Sequence, residues 1–162
     1  MVDVGRKPST RRMATAVGRI ALEPATIQKI RQGAILKGDV LAAARLAAVM
    51  GAKRTWEVIP LCHPLPLTGI TVRIDEENGS SAKRATGDSR VLRITVSVRS
   101  EAKTGVEMEA LTGVCAALLT IYDMCKRIDK TMAIGGIGLI RKRGGRSGDV
   151  HRSPMEAYRA MP

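Results

Sequence analysis

The chain has 162 residues, of which 44% are hydrophobic and 26% charged, a composition typical of globular proteins and not of disordered or fibrous ones. Arg or Lys interrupts every hydrophobic stretch, and no basic-then-apolar leader opens the chain, so we expect no membrane span and a cytoplasmic location. The three cysteines are an odd set without Cys-x-x-Cys spacing, which argues against a disulfide framework and a structural zinc site.

Positive charge is the most informative feature of the composition. Twenty-seven Lys and Arg against fifteen Asp and Glu give a net charge of +12, concentrated in residues 1–20 and 126–152. Such clusters attract nucleic acid, an anionic membrane surface or a small ligand with several phosphates. With no Phe, one Trp and two Tyr, the chain lacks the aromatic platforms that stack on single-stranded bases, so a phosphorylated small molecule is the favoured partner.

Hydrophobic periodicity predicts alternating strands and helices along the chain. In chain order we expect strands over 13–22, 70–75, 90–99 and 134–142 and helices over 24–32, 40–50 and 107–129. This order predicts an α+β protein with a ferredoxin-like, or split βαβ, antiparallel sheet, helices packed on one face and one added helix. We expect apolar residues on the other face, covered by another subunit. The polar stretch 78–89 is expected to be a hairpin tip.

Asp123 and Lys126 lie three residues apart on the stripe of helix 107–129 that faces away from its apolar side, so their side chains can touch. One interpretation is a surface ion pair. The other is a coupled acid and base in a cleft, which requires a degree of burial that the sequence does not reveal.

Two further segments suit phosphate binding. Lys37-Gly38-Asp39 stands where a turn enters a helix, so backbone N–H groups can face an anion there, although an ordinary capped helix start has the same pattern. Residues 141–148 contain four cations and three glycines and can wrap phosphates, although a disordered basic tail also fits.

Residues 59–66 hold a Cys-His pair between prolines that fix the backbone. The only other histidine is His151, so we expect no metal site. Adjacent side chains in an extended segment point apart, which favours a binding role for His63 over a nucleophile-and-base role for Cys62 and His63. A packed structural loop fits the same composition.

Several segments of the chain together resemble the MoaC family, the cyclic pyranopterin monophosphate synthases. Besides Lys7 and Thr10, the similar stretches are MVDV at 1–4, KGDV at 37–40, AKRT at 52–55, IPLCHPL at 59–65, TGVEMEALT at 104–112, LTIYDMCK at 119–126 and GGRSG at 144–148. They span nearly the whole chain in order. The resemblance implies a phosphorus–oxygen lyase without a cofactor, which converts 3′,8-cyclo-7,8-dihydro-GTP into cyclic pyranopterin monophosphate and releases pyrophosphate.

The resemblance also implies roles for individual residues. Asp123 and Lys126 would be the acid–base pair, and Lys37 a third essential cation that acts on the phosphates. The substrate-binding residues would be Leu61, Cys62, His63, Met108, Glu109, Arg12, Lys142 and Arg146, the last three at the phosphates. Arg146 stands where the family usually has Lys, and Arg11 is an alternative to Arg12.

The same resemblance implies a homohexamer, a trimer of dimers, with active sites at subunit boundaries and neither specific nucleic acid nor membrane as partner. We expect residues 1–152 to form a single catalytic domain with a flexible basic N-terminal arm and a Gly- and Arg-rich C-terminal segment, and residues 153–162 a disordered tail. If Lys37 and Lys126 of one site came from different chains, chains inactivated at each of them would regain activity when mixed.

A small basic RNA-binding protein of ferredoxin-like fold is the alternative function, since charge and element order permit it. Arg93, Thr95, Ser97 and Arg99 share one face of the strand over 90–99, where an RNA-recognition sheet carries Phe or Tyr. This face argues against the alternative.

Overall fold

The computed structural model describes residues 1–78, 90–145 and 148–153. The strands in this part of the chain are β1 (Thr10–Leu22), β2 (Leu67–Asn78), β3 (Arg90–Ala102), β4 (Ala133–Arg143) and β5 (Val150–His151), and the helices are α1 (Pro24–Arg31), α2 (Val40–Lys53), α3 (Thr55–Val58) and α4 (Glu107–Cys125). Every predicted strand and helix is present, with shifted ends, while α3 and β5 were not predicted. The expected hairpin tip after residue 78 and the tail after residue 153 lie outside the described residues.

The strands form one sheet in the order β2-β3-β1-β4-β5, with every neighbouring pair antiparallel. Its first four strands have the order of the ferredoxin-like arrangement, so the predicted fold class is confirmed. β5 extends this arrangement at the edge, where Val150 and His151 pair with Lys142 and Arg141.

The helices α2 and α4 cover one face of the sheet and run antiparallel to each other. Small residues bring them close: a Cβ atom on Gly113 would lie 3.0 Å from the carbonyl oxygen of Ala48, and one on Gly51 would lie 2.8 Å from the Cβ of Ala116. Ile94 and Leu118 are fully buried between sheet and helices. This antiparallel packing places the loop before α2 at the C-terminal end of α4.

Helix α4 is long and apolar enough to cross a membrane by length and composition, so composition alone did not exclude a span. Half of the helix is buried, and α4 contacts α2, β1, β3 and β4. It is therefore the core helix of a soluble protein.

The face of the sheet without helices is polar, and the expectation of an apolar face is wrong. Arg19 on β1 and Arg93 on β3 both bind Glu77 on β2, at N–O distances of 2.9 and 2.7 Å. The hydroxyl groups of Thr15 and Ser97 share a hydrogen bond of 2.9 Å on the same face. Polar cross-strand pairs of this kind suit a solvated face.

Candidate active site

Three of the predicted residues meet at the C-terminal end of α4. The Nζ atom of Lys37, in the loop before α2, donates to Oδ2 of Asp123 at 2.5 Å and to its backbone carbonyl at 3.1 Å. Nζ of Lys126, the C-cap residue of α4, lies 2.7 Å from Oδ1 of Asp123. Each carboxylate oxygen thus has its own ammonium group. We call these three residues the lysine–aspartate cluster.

Charge pairing favours the ionised forms of Asp123 and Lys126. The hydrogen bond from Lys126, followed by that from Lys37, lowers the pKa of Asp123 to about 2, and the bond to Asp123 raises the pKa of Lys126. The side chains of Asp123 and Lys126 are 53% and 55% exposed. A single chain therefore does not provide the burial that would bring these pKa values toward neutrality.

Four cations surround a cavity at the opposite end of α4. The cavity has a volume of about 270 Å³, and its charged lining residues are Lys7, Arg12, Lys103, Lys142 and Glu107, the first residue of α4. Nζ of Lys142 lies 2.7 Å from a carboxylate oxygen of Glu107. Because one carboxylate faces four cations, this cationic pocket attracts a polyanion.

Strand alternation decides which of two neighbouring arginines faces the cationic pocket. Arg12 shares its side of β1 with Ala14, which pairs with Lys142, whereas Arg11 lies on the opposite face. Arg12 consequently lines the cationic pocket and Arg11 does not. Arg146, the third predicted phosphate contact, lies outside the described residues.

His63 lines a second cavity. This cavity adjoins the cationic pocket, since Lys103 and Thr104 line both. Burial, and then the charge of Glu109, raises the pKa of the neighbouring Cys62 thiol. A thiol with a raised pKa is a poor nucleophile at neutral pH, which agrees with a binding role for this loop. Leu61 is 70% exposed and available to a ligand or another chain.

The first turn of α4 holds the remaining predicted residues. Glu109 is 4% exposed, whereas Met108 is 37% exposed. Burial is the main cause that raises the pKa of Glu109, which favours the protonated form of its carboxyl group relative to an exposed glutamate.

Sequence reasoning missed Lys103 and assigned no role to Lys7 or Glu107, although the last two lie within or beside the stretches that carry the family resemblance. Lys103 follows the end of β3, and its Nζ donates to the backbone carbonyl of Gly5 at 2.6 Å. This bond ties the N-terminal segment to the cationic pocket. The position of Lys103 beside the N-terminal segment follows from the pairing of Thr10 with Ala102 at the ends of β1 and β3, which the sequence alone does not show.

The lysine–aspartate cluster and the cationic pocket are far apart within one chain. Glu107 and Asp123 are sixteen residues apart on α4, which corresponds to about 24 Å at about 1.5 Å per residue. The structure thus gathers the predicted residues into two clusters, with Lys37 in the cluster away from the cationic pocket. Lys37 and Lys126 of one chain contact the same carboxylate, so the condition under which chains inactivated at each of them would complement is not met within this cluster.

The fold and these two clusters define a small α+β enzyme for a phosphorylated substrate. Among the described residues, no group of three or more His, Cys, Asp or Glu is placed to hold a metal ion.

Residues 1–145 match the MoaC family. The chain is 53% identical over 152 residues to a cyclic pyranopterin monophosphate synthase of Brevibacillus brevis, covering 94% of this chain and 89% of that protein. It is 51% identical to the synthase of Thermomicrobium roseum, covering 99% of this chain and 91% of that protein. It is 55% identical to the synthase of Chloroflexus aggregans, covering 94% of this chain and 87% of that protein. The chain belongs to the MoaC family, as its motifs predicted.

Proposed function

We propose that the lysine–aspartate cluster and the cationic pocket act together on 3′,8-cyclo-7,8-dihydro-GTP, forming cyclic pyranopterin monophosphate and releasing pyrophosphate. By family and by identity to its relatives, the chain is a cyclic pyranopterin monophosphate synthase, a lyase of molybdenum cofactor biosynthesis. The observation that carries the assignment of residues is the carboxylate of Asp123 held between Lys37 and Lys126.

Asp123 and Lys126 are the proposed acid–base pair. The reaction rebuilds rings and closes a cyclic phosphate, so protons must be removed and delivered at several atoms. Asp123 as a carboxylate and Lys126 as an ammonium group already have the forms of a base and an acid, 2.7 Å apart. Lys37 holds Asp123 ionised and adds a positive charge near the negative charge that develops on the substrate.

The cationic pocket is the proposed site of the triphosphate. Arg12 and Lys142 were predicted there, Lys7 and Lys103 line the same cavity, and we propose that Arg146 joins them. The adjoining residues would surround the ring system: Leu61, Cys62, His63, Met108 and Glu109.

The separation of the two clusters leads to the proposed assembly. About 24 Å along α4 exceeds the length of a GTP-derived substrate, so both clusters can touch one molecule only if different chains provide them. The half-exposed Asp123 and Lys126 are then covered where the cationic pocket of a neighbouring chain meets them. Closed symmetry provides such contacts, and we propose a homohexamer built as a trimer of dimers.

We further propose that residues 1–152 form one catalytic domain and that the enzyme works in the cytoplasm. The cysteines Cys62, Cys115 and Cys125 are free, which suits a reducing compartment.

The direct test of the function supplies the cyclised GTP intermediate to the purified protein. We expect a pterin chromophore and one pyrophosphate per turnover, and an assembled protein that produces neither would refute the proposal. Among the described residues, the aromatic side chains are Trp56 on α3 and Tyr122 on α4, and neither lies on the sheet. Nanomolar, sequence-selective RNA binding at physiological salt would instead support the RNA-binding alternative.

We predict that Asp123→Asn and Lys126→Ala each lower turnover by at least about a hundredfold, because acid–base groups contribute on that order. Both side chains are half exposed, so assembly and the unfolding temperature should stay close to those of the wild type. Arg73→Gln, at an exposed position on β2, is the matched control and should keep full turnover. Near-normal activity of either cluster variant would contradict the acid–base assignment.

A further inference from the structure

We propose that the open face of the sheet carries a second anion site, which binds a compact inorganic polyphosphate, specifically pyrophosphate. The site is a cavity of about 660 Å³ at one end of β1, β3 and β4. Its charged lining residues are Arg11, Arg12, Arg99, Arg143, Glu101 and Asp149. We call this cavity the arginine cavity.

Strand register places three of the four arginines on one face. Arg99 on β3 and Arg143 on β4 both pair with Met13 of the intervening β1. Arg11 precedes Met13 by two residues and shares its face. With about 4.8 Å between neighbouring strands, the Cα atoms of Arg99 and Arg143 lie about 10 Å apart. Guanidinium groups from three adjacent strands therefore border one cavity.

Among the described residues, Arg143 is the one arginine of the arginine cavity that forms an ion pair. Nε of Arg143 lies 3.3 Å from Oδ2 of Asp149, a carboxylate that also accepts the backbone N–H of Gly144. Within the residues that the structure describes, Arg11 and Arg99 form no ion pair, and Glu101, which pairs with Arg11 across the strands, is not within salt-bridge distance of it. Neighbouring guanidinium groups repel each other unless an anion joins them.

The lining of the arginine cavity favours a polyphosphate without a base. Met13 is its one large apolar side chain, and no aromatic residue is among the described lining residues, so nothing there would stack on a nucleobase. A guanidinium group binds phosphate oxygens through two parallel N–H donors. Two linked phosphates can accept such pairs from more than one strand, whereas a single phosphate offers fewer oxygens across about 10 Å.

Arg12 connects the arginine cavity with the cationic pocket, because it lines both. The choice of pyrophosphate rests on the proposed function, because the proposed reaction releases pyrophosphate in the cationic pocket. The preference for a polyphosphate rests on the geometry of the arginine cavity alone. Pyrophosphate that leaves the cationic pocket would pass Arg12 and bind between Arg99 and Arg143. The arginine cavity is then a product-binding site beside the catalytic one.

Calorimetric titration of the assembled protein with pyrophosphate at physiological salt tests the site. The measurement uses the Lys142→Gln background, which weakens the cationic pocket. There, Arg99→Gln with Arg143→Gln should weaken the remaining pyrophosphate binding at least about tenfold. Arg73→Gln removes an exposed arginine on β2 that lies on the same open face of the sheet but outside the arginine cavity. This control substitution should leave the affinity for pyrophosphate unchanged. Arg143→Gln alone changes a side chain that is 59% exposed, so it reports the same loss in part without endangering the fold.

Wild-type affinity in the double variant would overturn the proposal. An equal loss of affinity in Arg73→Gln would also overturn it, because it would show that pyrophosphate binds to diffuse surface charge. Orthophosphate binding as tight as that of pyrophosphate would overturn it as well. The titration needs no turnover. A protein that binds pyrophosphate in this way but forms no cyclic pyranopterin monophosphate would retain the site and refute only the proposed function.

Discussion

Asp123 is the residue on which the proposed chemistry depends, and its ionisation is set by its two lysine partners. Its pKa is lowered from 3.8 to about 2, with the bond from Lys126 as the larger cause and that from Lys37 as the next. Because folding lowers this pKa, the stability that Asp123 contributes is fully present above about pH 4 and is lost as the pH falls toward 2.

Carboxyl ¹³C NMR titration measures this pKa directly. We predict that Asp123 titrates near pH 2 in the wild type. Lys126→Ala should raise its pKa toward the ordinary value, and Lys37→Ala should raise it by less, because each removes one charge-assisted hydrogen bond. An Asp123 pKa that is the same in all three proteins would show that the lysines do not bind the carboxylate in solution.

Spacing predicts part of the lysine–aspartate cluster and misses the rest. The three-residue interval between Asp123 and Lys126 predicted their contact. Lys37 lies 86 residues from Asp123, and no local pattern joins them. The helix start at Lys37-Gly38-Asp39 indicated phosphate binding, and the family motif indicated an essential cation, but neither indicated a contact with Asp123. The antiparallel packing of α2 on α4 brings Lys37 to Asp123, and that packing depends on tertiary contacts between small residues.

Among the elements, the end of α4 shows where periodicity fails. The apolar spacing continues to Ile128 and predicted a helix to Asp129, but α4 ends at Cys125. The carboxylate of Asp129 accepts the backbone N–H groups of Glu23 at 2.8 Å and Thr131 at 2.9 Å. Burial raises the pKa of Asp129, but these hydrogen bonds outweigh it and lower the pKa overall. A long-range carboxylate contact thus fixes the turn that follows the helix.

We predict that Asp129→Ala lowers the free energy of unfolding by about 2 kcal/mol or more, because it leaves two backbone donors without their acceptor at a site that is 1% exposed. Urea unfolding measures the change. Glu57→Ala, which removes an exposed carboxylate from α3, is the control and should change stability by less than about 0.5 kcal/mol. Equal effects of the two substitutions would show that Asp129 does not hold this turn.

Gly18 on β1 tests the packing of α4 against the sheet. A Cβ atom there would lie 2.6 Å from Cγ1 of Val114 and 2.7 Å from Cδ1 of Leu118. We predict that Gly18→Ala destabilises the protein by about 1–3 kcal/mol through overpacking. Gly135→Ala on β4 should be neutral or slightly stabilising, because nothing lies within 4 Å of its added Cβ. Thermal unfolding compares the two variants, and equal stability would contradict the close packing of α4 against β1.

At the scale of the whole molecule, the order of predicted strands and helices was enough to give the fold class. The character of the open sheet face was not predictable in the same way. Arg19, Glu77 and Arg93 lie far apart in sequence, and only the register of β1, β2 and β3 shows that their charges pair on one face. Residue types were visible in the sequence, whereas their partners were not.

The whole molecule also changes how the active site is understood. The family resemblance implied active sites at subunit boundaries, and within one chain α4 holds the two clusters of predicted residues about 24 Å apart. We therefore propose that each active site combines the lysine–aspartate cluster of one chain with the cationic pocket of another.

Complementation between two inactive chains tests this claim most directly. Chains with Asp123→Asn and chains with Lys142→Gln are co-expressed with different tags, and assemblies that contain both are isolated and assayed with the cyclised GTP intermediate. With equal, random mixing, about a quarter of the boundary sites combine an intact Asp123 with an intact Lys142, so we predict about a quarter of wild-type turnover. Each variant alone, and the mixture of Lys37→Ala with Lys126→Ala chains, should stay inactive, because those two lysines serve the same carboxylate. Mixed assemblies that form but show no recovered turnover, or a protein that is a monomer by light scattering at micromolar concentration while fully active, would contradict the claim.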